Sequence, residues 1–191
     1  MSAGHFHVHG PHDHEVEHAA QHSGDPLAGR VAMMTAIFAT IGALFGYMAG
    51  ATQNDALLSK NEAAIRTLEA SDQWNFYQAK SSKQNLAELG ATLTTGEPQA
   101  RYLQEIERYK KEKDEIMTAA KKLEDAGKEA NKKSAAAMHV HHRWAQSVTL
   151  IQVAIALAAI TLLTRKKWLQ WGVYGMAAGG AVLATLAYLH I

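Results

Sequence analysis

Residues 31–50 read VAMMTAIFATIGALFGYMAG, and this stretch decides the fold. Its 20 residues carry no charged side chain. At about 1.5 Å per residue, such a helix covers about 30 Å, the hydrocarbon thickness of a bilayer. Asp25-Pro26 just before it supplies an N-cap and a first-turn proline. A first transmembrane helix is therefore expected over 25–50. Ala49-Gly50-Ala51 resembles a small-residue cleavage site. Against a signal peptide, the apolar core is too long and the chain before it is acidic, not basic.

Downstream the character inverts. Residues 51–143 hold most of the charge, with both signs interspersed. One breaker region interrupts them: Gly90, then Thr94-Thr95-Gly96-Glu97-Pro98. It divides the block into arms 51–93 and 98–143, each long enough for a helix of about 60 Å. The second arm repeats in alternating steps of four and three: Tyr102, Ile106, Tyr109, Lys113, Ile116, Ala120, Leu123, Gly127, Ala130, Ser134 and Ala137. That is a coiled-coil seam, narrowing to small residues towards its end. The first arm offers Leu58, Asn61, Ile65, Leu68, Asp72, Asn75, Ala79, Ser82, Leu86, Leu89 and Leu93 as the matching seam, polar in its middle. Two equal arms joined by a tight turn predict an antiparallel helical hairpin.

Two further uncharged runs follow, 144–164 and 168–190, separated by Arg165-Lys166-Lys167. They predict a second and a third transmembrane helix, with Trp168, Trp171 and Tyr188 as interfacial anchors. The expected fold is all-α: three transmembrane helices with a long hairpin between the first and second. By the positive-inside rule, the short basic loop 165–167 and the N-terminal tail face the cytoplasm. The 51–143 hairpin then faces the periplasm.

Composition closes several routes. Net charge is +1, without a basic patch, so nucleic acid is not an expected partner. There is no cysteine, hence no disulfide, thiolate metal site or cysteine nucleophile. The apolar runs 31–50, 144–164 and 168–190 hold no Asp, Glu, Lys or Arg, whereas coupled transport usually needs an intramembrane ionisable group. Gln152, well inside the second run, is the most polar buried candidate. No phosphate-binding glycine loop, HExxH, GxSxG or paired-carboxylate motif is present, so an enzyme is not expected.

Three features carry possible recognition chemistry. Residues 1–24 are a His-rich tail with too few apolar residues to fold alone. His5, His7 and His9 alternate, and His14, His18 and His22 step by four, with His12 between the two sets. Either spacing puts imidazoles on one side of the chain, where zinc, copper or nickel binds. A weaker set, His139, His141, His142 and His190, belongs to the opposite membrane face. Gly42, Gly46 and Gly50, with Gly175 and Gly179, form GxxxG stripes suited to close packing between spans or copies. Asp72, Trp74, Asn75 and Tyr77 place polar and aromatic groups where a plain coiled coil would place leucine. They mark either a contact surface for a partner or a neighbouring protomer, or an exposed arm whose aromatic faces cover the second arm.

Three stretches resemble one family: HVHGPHDHEVEHA (7–19), GALFGYMAGATQNDALLSKNEAAI (42–65) and QWNFYQAKSSKQNLAE (73–88). They are similar to the uncharacterised bacterial membrane proteins grouped as domain of unknown function 4337. That resemblance implies a bacterial inner-membrane protein of this layout and brings no catalytic residues. The expected function is a non-enzymatic, homo-oligomeric scaffold or adaptor in the lipid bilayer, with a metal-binding tail. The alternatives are an oligomeric channel or metal-handling transporter, and an accessory subunit meeting a protein partner through the hairpin.

Overall fold

A computed structural model describes residues 26–189 and is all-helical. Expectations for residues 1–25, including the histidine tail, and for His190 lie outside the described residues. Helix α1 runs Pro26–Leu93, α2 runs Glu97–Thr164 and α3 runs Leu169–Tyr188. Pro26 opens α1 where its missing N–H costs nothing. The apolar runs and the polar arms are continuous within α1 and within α2, because no breaker lies between them. α1 and α2 each contain a stretch long and apolar enough to cross a membrane.

The breaks fall at the expected residues. Gly96 takes φ +71, a left-handed conformation open to glycine at little cost. Its carbonyl then accepts from Ala100 N–H at 3.1 Å to start α2. Thr94 Oγ1 donates to the Gly90 carbonyl and Gln99 Nε2 to the Ala91 carbonyl, satisfying acceptors at the end of α1. Arg165 adopts φ 54 where α2 stops, and a short turn over 165–168 leads into α3.

The chain forms two compact units. The first comprises residues 26–53 and 138–189 of the described chain. One of its cores joins Val31, Ala154, Ala158 and Val173, flanked by Met34, Phe38 and Leu157. Another joins Ala49, Val140, Trp144, Ala184 and Ala187, with Phe45 packed against them. Small residues let the backbones approach. A Cβ on Gly180 would lie 3.2 Å from Ile151 and 3.3 Å from the Ser147 carbonyl. There the buried Ser147 Oγ donates to the Gly180 carbonyl at 2.7 Å. Larger apolar groups point outward, among them Tyr47, Leu163 and Trp171.

The second unit, Asn54–Ala137, is the pair of arms. They run antiparallel. Lys113 Nζ reaches Gln84, Trp74 Nε1 reaches Glu124, Lys60 Nζ reaches Asn131, and Ser134 Oγ reaches the Ala56 carbonyl. Every expected seam position of the second arm is buried or half-buried.

The first arm is turned the other way from expectation. Leu58, Ile65, Leu68, Leu86, Leu89 and Leu93 are exposed. The face against α2 is instead a seven-residue track of Ala56, Ala63, Ala70, Tyr77, Gln84 and Ala91, with Ala87 beside it. Close approach is the reason. A Cβ on Gly127 would sit 3.4 Å from Arg66 Cβ and Thr67 Oγ1. Alanine leaves room for that spacing and leucine does not. Near the turn, the bulk comes from α2, where Ile106 and Tyr109 pack on Ala87 and Ala91 with Tyr102 alongside.

Candidate functional site

The arms carry the densest polar contacts among the described residues. Lys80 on α1 meets Glu112 Oε2 on α2 at 2.5 Å, and Arg108 Nε stands 3.6 Å from the other carboxylate oxygen. Donation from Lys80, joined by the nearby Arg108 and Lys83 charges, holds the Glu112 carboxyl below its ordinary range. Around this pair, cations stack on rings. Arg108 lies 4.9 Å from the Tyr109 ring centre and Lys113 Nζ lies 5.0 Å from that of Tyr77. The Lys80–Glu112 and Lys113–Tyr77 contacts tie one arm to the other, while Arg108 braces them from within α2.

The four residues expected to form a contact surface divide. Trp74 turns inward: its indole N–H donates to Glu124 Oε1 at 2.8 Å, and its ring meets Tyr77 edge-on at 5.6 Å. Tyr77 is half-buried on the alanine track. Asp72 and Asn75 are exposed on the opposite side of the arm. An open groove of about 1050 Å³ runs along the arms beside them. Asn61, Leu68, Trp74 and Asn75 line it from α1, and Glu124 and Asn131 from α2. Its walls mix amides with apolar carbon, and Lys60 and Trp74 already engage its α2 side. Such a surface is suited to recognition by hydrogen bonds and packing.

The glycines divide as well. A Cβ on Gly42 would meet Ile151 at 3.3 Å, and one on Gly179 would meet Leu150 at 3.4 Å, so these two serve packing within one chain. Gly46, Gly50 and Gly175 face open space. Gln152 is exposed on α2.

Of the histidines at 139–142, His141 makes a contact between helices. His141 Nδ1 lies 2.8 Å from the Ala49 carbonyl. A carbonyl only accepts, so Nδ1 carries the proton and donates. The His141 and His142 rings lie 5.6 Å apart, while His139 is exposed. Among the described residues, no three His, Asp or Glu side chains are placed to share a metal ion.

Sequence reasoning missed the Lys80–Glu112 pair and the Ser147–Gly180 bond, since partners 32 and 33 positions apart leave no periodic trace. The alanine track did leave one, a seven-residue repeat at 56, 63 and 70.

A family model described as a domain of unknown function (DUF4337) matches residues 27–190. The chain belongs to this family. The match takes in all three helices and both arms. Comparison with curated proteins and with solved structures finds no match.

Proposed function

We propose that this family member is a three-span membrane protein acting as a non-enzymatic, homo-oligomeric scaffold or adaptor. Segments 26–50, 144–164 and 169–188 cross the bilayer, and the charged arms stay in water as a coiled-coil hairpin. The observation that carries this reading is where the first unit puts its side chains. Small residues and single hydroxyls line its closest helix approaches beside a core of Val31, Trp144, Ile151 and Val173, while Tyr47, Leu163 and Trp171 face outward on uncharged segments. That arrangement suits a lipid surround, where helices associate through small residues and interhelical hydrogen bonds. Gly46, Gly50 and Gly175, open in the single chain, are surfaces where a further helix can approach closely.

In this reading the tail and the 165–167 loop face the cytoplasm of a bacterial inner membrane, and the arms face the periplasm. The His-rich tail is a metal-binding extension. The exposed Gln152 favours a second reading, an oligomeric channel, because an amide outward among apolar residues is best satisfied along an oligomer axis.

Native mass measurement in lipid nanodiscs tests the proposal. The scaffold reading expects a multiple of the 20.8 kDa chain with no foreign subunit. A single chain per disc overturns it. An imaged water-filled axis lined by Gln152 would shift the assignment to the channel.

A further inference from the structure

The face of α1 turned away from α2 carries a second heptad track, apolar at both ends and polar in its middle. Leu58, Ile65, Leu86 and Leu93 stand in one seven-residue register, and Leu68 and Leu89 stand in the alternate one. All are more than half exposed; Leu58 is 60% exposed, Leu68 67% and Leu93 75%. A stripe with alternating three- and four-residue steps is complementary to another α-helix. It is a poor lipid surface, because Asp72 and Asn75 interrupt it and Glu62, Glu69 and Lys83 flank it.

We propose that this track is a homotypic coiled-coil surface, through which the first arms of two copies pack parallel to one another. The inference rests on the membrane-held homo-oligomer reading above. The chain's own second arm is committed to the alanine track on the opposite face, so the leucine track needs a helix from elsewhere. Two copies held in one bilayer point their arms the same way, so each position meets its counterpart. Leucine then meets leucine in the outer layers. In the middle Asn75 meets Asn75, and a side-chain amide both donates and accepts.

The flanking charges fit the same geometry. In a parallel pair, Glu62, Glu69 and Lys83 of one copy oppose Leu57, Ala64 and Gln78 of the other, which carry no charge. No like-charge pair forms along the flanks. In the central layers Asn75 fixes the register, whereas Asp72 meets Asp72 of the other copy and these like charges subtract stability from the pair. The six exposed apolar side chains, with Leu57 and Phe76 beside them, each stand more than half exposed and supply the apolar surface of the contact. The amide-lined groove shares its edge with the track through Asn61, Leu68 and Asn75, so the contact extends onto the second arm.

The chain has no cysteine, so single-cysteine variants report cleanly. Asn75→Cys and Leu89→Cys lie on the track, and Thr118→Cys lies on the exposed face of the second arm. Each would be oxidised in the full-length chain in liposomes, with circular dichroism to confirm the helical fold. Disulfide dimers should form about tenfold faster at 75 and at 89 than at 118, because the bond needs Cα atoms within about 7 Å. Cross-linking at 75 without 89 would mean antiparallel arms and overturn the parallel pair. Cross-linking at neither, in particles whose mass is still a multiple of the chain, would overturn the track while leaving the oligomer. Single-chain particles would overturn both.

Discussion

Glu112 shows how much a single residue decides here. Its carboxyl, held below the ordinary range by Lys80, stabilises the folded arms at any pH above the unfolded carboxylate value. That contribution disappears as pH falls through the folded value. Glu112→Gln should therefore lower the thermal midpoint at neutral pH. The difference from the parent chain should vanish once the pH is well below about 4. A gap that persists in acid would mean that the pair is not the cause. The Ser147 hydroxyl is the corresponding polar contact of the apolar segments. Ser147→Ala should cost about 1 kcal/mol in detergent unfolding, the usual scale of an interhelical hydrogen bond among membrane helices. Gly180→Ala brings its Cβ to 3.2 Å from Ile151 and should cost about 1–3 kcal/mol through overpacking. Neither residue announces itself in the sequence, because a lone serine or glycine in an apolar run acquires meaning only from the helix facing it.

Among the elements, the helices themselves were legible and the rotation of one of them was not. The turn at Gly96, the stop at 165–167 and the seam of the second arm all follow from punctuation and periodicity that local chemistry enforces. On the first arm two seven-residue tracks compete, and hydrophobicity ranks leucine above alanine. The distance to α2 reverses that ranking, because the approach visible at Gly127 admits only small side chains. Ala63→Leu or Ala70→Leu should thus destabilise the arms by about 1–3 kcal/mol. Leu58→Ala should leave the single chain within about 0.5 kcal/mol of the parent, as surface changes do. A loss of about 2–5 kcal/mol at Leu58 would instead place leucine in the intramolecular core.

At the scale of the whole molecule, α1 and α2 each join a stretch of apolar packing to a stretch carrying ion pairs. Candidate sites were legible in proportion to their periodicity. Asp72 and Asn75 point outward. Trp74 and Tyr77 went to the arm-to-arm contact, and only three of the five stripe glycines face open space. The central claim is that spans separate the arm tip from the basic loop. Cysteine labelling in sealed, right-side-out vesicles tests it most directly. In the cysteine-free chain, Thr95→Cys at the turn between the arms should react with an impermeant maleimide from outside. Lys166→Cys should react only after the vesicles are opened. Equal labelling of both residues from the outside, or recovery of the protein with the soluble fraction, would contradict the three-span account.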